Sequence, residues 1–363
     1  MDETTRIFVA GRRGMVGSAC WRALTRAGFT NLLGPTSAEL DLTRQADVEA
    51  FFRDNRPQAV ILAAARVGGI LANATFPADF LTTNLAIQTN VIDTARQCGV
   101  RHLVFLGSSC IYPKFAPQPI RENALLTGPL EPTNEAYALA KIAGVRLCHF
   151  INRQYDTVYW QLMPTNLYGE FDSFDLQNSH VLPALMRKFH LAALAKKGDT
   201  AGIARDVARF GPLPDDIRDG LGLSRDGATV DPARVRVVLW GTGTPRREFM
   251  HVDDLAAAVL HVLSLDDVPA ELVNVGCGHD LRIAELAEMV RRMSDYDGEI
   301  VWDTSKPDGT PQKLLDVSRL EGLGFTASIS LGDGLRRAYD WYLRESGLPP
   351  RTPPGGNHFP RTP

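Results

Sequence analysis

The sequence predicts an α/β protein in which a doubly wound parallel sheet, covered by helices, is joined to a smaller mixed α/β domain. Short apolar runs alternate with longer segments of helical spacing through the first half of the chain, the pattern of strands and covering helices in a parallel sheet. A glycine-rich turn joins the first apolar run to the first helical segment. The chain has 363 residues, which at about 150 per domain suggests two bodies. Hydrophobic residues make up 44% and charged residues 22%, as in a soluble globular chain.

Taken in order, Ile7–Ala10 reads as the first strand and 17–27 as the first helix. Residues 31–33 are a weak second strand running into Gly34-Pro35-Thr36-Ser37. Helix 45–55, strand 60–65, helix 77–99 and strand His102–Leu106 follow. Such βαβ units take right-handed crossovers and place ligands beyond the carboxyl ends of the strands. Segment 196–234, dense in Gly, Asp, Pro and Arg, is expected to be an inserted surface segment, either a solvated excursion or a lid or oligomer contact. One short helix at 201–210 would be stopped there by Gly211-Pro212-Leu213-Pro214. The proline-rich 348–363 is expected to be a disordered tail. The expected domains are 1–166 with about 248–274, and 167–247 with 275–347.

Lys plus Arg number 39 against 42 for Asp plus Glu, a net charge of −3, so no basic field exists to attract nucleic acid or an anionic membrane. No apolar run approaches the ~20 residues of a membrane span. The cysteines (Cys20, Cys98, Cys110, Cys148, Cys277) are scattered without C-x-x-C spacing, which suits reduced thiols in a cytoplasm. The first residues lack the features of a signal peptide. The histidines form no H-E-x-x-H or similar cluster, so no bound metal is expected.

Three segments carry chemistry. Gly11-Arg12-Arg13-Gly14-Met15-Val16-Gly17 lies between strand and helix. There, glycines allow a tight turn and close backbone approach, and the helix N-terminus offers N–H groups to a pyrophosphate: a Rossmann-type dinucleotide site. Arg12 and Arg13 suit a ribose 2′-phosphate, and the second strand ends without an acidic residue for a free ribose diol; both features favour NADP(H). Asp41, beside Leu42, could reach the adenine edge or cap the helix near Gln45. Leu106-Gly107-Ser108-Ser109-Cys110 closes a strand, and Tyr137-Ala138-Leu139-Ala140-Lys141 is a Y-x-x-x-K pair. Residues four apart share a helix face, so Lys141 could sit beneath the Tyr137 phenol and lower its pKa. Ser108 could bind the same carbonyl oxygen. If the strand-end segment is extended, Cys110, two residues on, faces the same way.

With these segments in place, the sequence resembles the extended short-chain dehydrogenase/reductase superfamily and, more closely, the bacterial GDP-L-fucose synthase family. The resemblance rests on residues 9–19, 63–73, 106–114, 130–144 and 163–169, on Asn178-Ser179-His180, and on residues 240–254 and 305–316. It implies C3/C5 epimerisation of GDP-4-keto-6-deoxy-D-mannose, then NADPH reduction at C4, in a cytoplasmic homodimer. Ser108, Tyr137 and Lys141 match the family's reductase triad, and Cys110 and His180 its epimerisation pair, the thiolate being favoured beside positive charge. The cofactor would be met by 11–17, Asp41, Leu42, Ala63, Ala64, Ala65, Tyr137, Lys141, Pro164, Thr165, Asn166, Leu167 and His180. The GDP-sugar would meet Ser108, Ser109, Cys110, Asn166, Lys188, Trp240, Arg247, Asp308 and Lys313. Ser37 and Lys188 stand where the family often has arginine. Two alternatives stay open: an epimerase/reductase of another GDP-4-keto sugar (a deoxyheptose or 3,6-dideoxyhexose), and a non-catalytic dinucleotide sensor.

Overall fold

The computed structural model describes residues 1–265, 267 and 272–349, without the side chains of residues 70 and 71. These fall into two compact units. The first comprises Met1–Leu167, Arg246–Asp280 and Gln312–Ser328; the second comprises Tyr168–Pro245, Leu281–Pro311 and the described residues from Ile329 on.

In the first unit, β1 (Ile7–Ala10), β2 (Leu32–Leu33), β3 (Ala59–Leu62), β4 (His102–Leu106) and β5 (Val158–Pro164) join strand Val273–Val275 in one sheet. The order is Val273–Val275, β5, β4, β3, β1, β2, and every neighbouring pair is parallel. The strands are predominantly apolar because both faces are covered. Phe8, Val60 and Phe105 pack with Phe52 and Val91 on one face, and Ile7, Ile61 and Val104 with Leu24 and Leu255 on the other, following the alternation of a pleated strand. The chain leaves β1 toward β2 on one side and continues from β3 on the other. The crevice beyond the carboxyl ends of β1 and β3 is therefore the switch point at which such sheets bind ligands.

The covering helices are α1 (Met15–Arg26), α2 (Gln45–Asn55), α3 (Ile70–Thr75), α4 (Pro77–Gln97) and α5 (Glu135–Gln154). Helix α1 begins two residues before the expected start, because extended Gly14 (φ −76°, ψ 167°) is its cap. Strand β3 stops at Leu62 rather than 65: Ala63 N still donates to Ala10 O at 3.1 Å, but at Gly11 the neighbouring chain turns away with φ +86°.

Two sequence expectations are corrected by packing. Residues 312–328 were expected in the second domain, yet Leu315 and Leu320 are buried in the two cores of the first unit. Segment 196–234 was expected to be a surface insert, yet helix Thr200–Phe210 buries Ile203 and Asp206, helix Asp215–Gly220 buries Ile217, and Leu213 and Leu221 are buried as well. The first of these helices does stop at Gly211, which has φ +96°. Part of what ties it to the second unit is polar, and therefore invisible to an apolar count. Arg187, fully buried on helix Val181–Lys196, donates through Nε to Asp206 at 2.8 Å and through Nη1 to Phe174 O and Phe210 O at 2.9 and 3.0 Å. Tyr342 also donates to Asp206. Removing one partner of such a pair strands a buried charge. Arg187→Met is expected to destabilise the protein by about 3–5 kcal/mol, read as a lowered thermal midpoint, with Arg187→Met/Asp206→Leu recovering much of the loss.

The tail from residue 350 lies outside the described residues. Among the described residues no helix is long and apolar enough to cross a membrane.

Candidate active site

The loop after β1 is shaped by contacts that exclude side chains. A Cβ on Gly11 would lie 2.8 Å from Ala64 N, and one on Gly17 would lie 2.1 Å from Gly11 O, so turn, helix start and the segment after β3 close on one another. Gly14 differs. A Cβ there would meet only Gly11 O, at an ordinary 3.5 Å, so internal packing does not demand glycine. Gly14 is exposed and caps α1 without a side-chain hydrogen bond, leaving open backbone at the positive end of the helix. A dinucleotide pyrophosphate fits that arrangement, since it can take the first N–H groups of α1.

Arg12 stands at the far end of this loop. Its guanidinium carbon lies 4.7 Å from the Trp21 ring centroid. A Cβ on Gly34, just past β2, would be 2.3 Å from Arg12 Cδ. A fixed cation therefore occupies the end of the second strand, where this fold holds the adenosine ribose. Arg13 and Ser37 are exposed. Glu39 is held below the usual carboxylate range, first by the Thr36 N–H and more weakly by Arg13 and Arg12. Asp41 accepts from Thr43 N and Oγ1 at 2.9 and 2.7 Å, while the cap of α2 is Arg44, with no side-chain bond. Of the two sequence readings of Asp41, helix capping is thus not seen. Leu42 packs against the sheet core, and Ala63, Ala64 and Ala65 lie half-buried beyond β3.

Beyond β4, Ser108 is extended (φ −161°, ψ 147°) and caps a tight 3-10 turn, Ser109–Ile111. Cys110 N donates to Ser108 Oγ at 3.3 Å. The expected extended segment is absent; the turn, rather than strand alternation, joins the hydroxyl to the thiol. Cys110 is buried, and burial pushes its thiol up, while Lys313, the Ser108 hydroxyl and Lys141 pull the other way without cancelling the effect. The near-neutral thiol expected beside positive charge is thus not found, because the desolvation penalty is larger than the field of the cations.

On α5, Lys141 Nζ donates to Leu106 O at 2.8 Å and lies 4.9 Å from the Phe105 ring centroid and 5.7 Å from that of Tyr137. Burial pushes Lys141 down to about 8. The Tyr137 phenol is pushed well up, by burial first and by Cys110 second. This differs from the lowering that Y-x-x-x-K spacing suggests. The ammonium is engaged with a carbonyl, and the phenol is a protonated donor.

Pro164 ends β5. Thr165 N donates to Val275 O at 2.9 Å, and Asn166 Nδ2 donates to Glu248 O at 2.8 Å, with Leu167 following. Strand Gln312–Lys313 pairs in parallel with Arg246–Arg247, Lys313 opposite Arg247. The first unit thus gathers Ser108, Cys110, Tyr137, Lys141 and Lys313, all joined by the local field or by hydrogen bonds.

The second unit carries the remaining sequence-predicted residues. His180 is exposed and caps helix Val181–Lys196; the turn before it is closed by Asp175, whose carboxylate accepts from Gln177 N at 3.0 Å and Asn178 Nδ2 at 2.8 Å. Lys188 Nζ donates to Val238 O at 3.3 Å, and burial pushes its pKa down. Trp240 is exposed, with Lys306 Nζ 5.4 Å from its ring centroid. Asp308 accepts from Thr242 N and Oγ1 at 2.9 and 2.7 Å and so shapes the turn after Trp240. Glu248, buried beside Arg247, was missed by sequence reasoning: nothing in an R-R-E-F run marks one carboxylate as buried.

A glycine-turn dinucleotide cradle beside a Ser, Tyr and Lys cluster defines a Rossmann-type epimerase or reductase. Residues 7–210 and 223–276 match the NAD dependent epimerase/dehydratase family. GDP-L-fucose synthase 1 of Arabidopsis thaliana is 52% identical over 343 residues, 94% of each chain. GDP-L-fucose synthase of Escherichia coli (strain K12) is 48% identical over 346 residues, 93% of this chain and 96% of that one. The solved structure of a GDP-6-OMe-4-keto-L-xylo-heptose reductase from C. jejuni, 37% identical, superposes with a TM-score of 0.86 over 95% of this chain and 99% of its own. The chain belongs to the GDP-L-fucose synthase family.

Proposed function

We propose that the protein converts GDP-4-keto-6-deoxy-D-mannose to GDP-L-fucose, inverting C3 and C5 and then reducing C4. The observation that carries this reading is the 3-10 turn after β4, which holds the Ser108 hydroxyl and the Cys110 thiol together beside Tyr137 and Lys141. One place then serves two reactions of a single ketone. Ser108 and Tyr137 donate hydrogen bonds to the 4-keto oxygen, which acidifies C3–H and C5–H on either side. Cys110, as thiolate, removes those protons, and His180 returns protons from the opposite face. Tyr137 gives its proton to O4 in the reduction, with Lys141 as the neighbouring cation. When bound, NADPH, the cofactor of this NADP-dependent oxidoreductase, would supply the hydride for C4. Its pyrophosphate would be held by 11–17, its 2′-phosphate by Arg12 with Arg13, its adenine side by Asp41, Leu42 and 63–65, and its nicotinamide side by 164–167 and His180. Lys188, Trp240, Arg247, Asp308 and Lys313 hold the GDP-sugar, Trp240 through its exposed ring.

A second reading, a GDP-4-keto heptose as substrate, is favoured by the C. jejuni heptose reductase, although the fucose synthases stand closer in identity. A panel of GDP-4-keto sugars decides. The highest kcat/KM is expected for the 6-deoxy-mannose compound, with GDP-L-fucose as product by NMR; a heptose turned over faster would overturn the assignment. Arg12→Ala is expected to lower kcat/KM for NADPH about tenfold or more while leaving NADH nearly unaffected. Equal losses with both cofactors would remove Arg12 from 2′-phosphate recognition.

The same reading places the protein in a cytoplasm, in keeping with its free cysteines, as a homodimer. Support for the dimer comes from α5, whose Leu139 and Phe150 are 43% and 49% exposed three turns apart on one side of the helix. Sedimentation of the purified chain reads the dimer directly, and a monomer at micromolar concentration would refute it.

A further inference from the structure

Arg247 is held beside Lys313 by two residues of parallel pairing and by Asp280, which accepts from Arg246 Nε and Gln312 Nε2 at 2.7 Å each, and two cations side by side repel each other. A ladder this short does not fix two such side chains alone; the residue after Arg247 adds a buried anchor. Glu248 is 0% exposed. Its Oε1 accepts from Cys277 N and Gly278 N at 2.5 and 2.8 Å, and its Oε2 from Leu315 N at 3.1 Å. Its own N donates to Lys313 O at 3.4 Å, and its carbonyl oxygen accepts from Asn166 Nδ2 at 2.8 Å and Thr165 Oγ1 at 3.3 Å. A Cβ on Gly276 would lie 2.3 Å from Oε1, so the chain passes too close for any side chain there. Among the described residues the carboxylate makes no ion pair; backbone N–H groups answer it, with a smaller contribution from the Thr165 side chain. Burying a carboxylate is costly unless its oxygens are bonded. An apolar residue would fill the space, but could not fasten the segment after Lys313 to one oxygen and the 277–278 loop to the other.

We propose that Glu248 is a positioning residue for substrate binding: through both carboxylate oxygens and its own main chain it fixes the strands that present Arg247 and Lys313 against the loop that presents Asn166. The proposal rests on the functional reading above, in which those side chains meet the GDP-sugar. Glu248 touches neither sugar nor cofactor. Its effect passes through the placement of two cations.

The isosteric variant Glu248→Gln keeps size but turns an N–H₂ toward one set of N–H donors. The loss of a buried, charge-assisted hydrogen bond is expected to raise KM for the GDP-4-keto sugar by about tenfold or more. Kcat should fall less, and NADPH affinity should stay within about twofold, which also reports that the first unit is folded. A merely structural role would lower apparent kcat with the folded fraction and leave KM unchanged. The deciding measurement is the same substitution in a Lys313→Met background, where the KM effect should shrink to about twofold or less because the side chain it positions is gone. Should Glu248→Gln fail to fold, Gly276→Ala displaces the carboxylate without removing it, and the same KM-specific defect is expected. Equal fold-changes in both backgrounds, or a fall in kcat with KM unchanged, would overturn the proposal while leaving the function standing. A wild-type enzyme inactive on every GDP-4-keto sugar would overturn the function and the proposal with it.

Discussion

Tyr137→Phe is expected to bind NADPH as wild type does and to lose C4 reduction by about 10²-fold or more, because proton transfer to O4 has no other donor of the same placement. The phenol is suited to this role by burial, which keeps it protonated. Lys141 does not substitute, since its ammonium is committed to Leu106 O at 2.8 Å. Epimerisation needs no proton at O4 in the product, only a hydrogen bond while the adjacent carbanion forms, and Ser108 can still provide one. The variant should therefore slow C3/C5 exchange far less than reduction. Measured by NADPH oxidation beside deuterium incorporation, the two rates should separate by an order of magnitude or more. Near-normal NADPH oxidation would remove Tyr137 from the mechanism.

The first unit was legible because a parallel sheet covered on both faces writes itself as apolar runs: Ile7–Ala10 and His102–Leu106 stand in the structure with the bounds the sequence suggests. The cradle was legible for a similar reason, since glycine is forced at 11 and 17 by contacts of under 3 Å that any Cβ would make. What escaped was the work of polar groups. Residues 200–210 looked too poor in apolar positions to belong to a core, and they belong through Asp206 and Arg187 together with buried Ile203 and the stacked Phe210. Residues 312–328 joined the first unit through Leu315 and Leu320, with Val317, Leu323 and Phe325 packed beside them, and their spacing does not show which sheet they cover. The electrostatics of the site escaped for another reason. Spacing places Lys141 one turn from Tyr137, but only coordinates show the ammonium turned to Leu106 O and the desolvation that dominates Tyr137 and Cys110. Charge counts in a sequence carry the field of a cation but not the burial opposing it.

That balance gives epimerisation its pH dependence. The Cys110 thiol is held above its ordinary value by burial, so in the free enzyme it is mostly protonated at neutral pH, and the reactive thiolate grows about tenfold per pH unit below the pKa. Kcat/KM for solvent exchange at C3 and C5 should accordingly climb with pH through the neutral range and flatten only above the ordinary thiol range. Lys141, at about 8, sheds its charge along the way and weakens one of the attractions that favour the thiolate, which makes the climb shallower at its upper end. In D₂O, wild type should place deuterium at both carbons, whereas Cys110→Ser should place almost none, since a serine hydroxyl ionises several units higher than a thiol and the same burial would oppose it. His180→Asn should still exchange through the thiolate but fail to invert, so the label would enter with retained configuration. Reduction of a substrate already epimerised should survive in Cys110→Ser, because Ser108, Tyr137 and Lys141 remain. If Cys110→Ser keeps full exchange at C3 and C5, the thiol is packing and another base takes both protons.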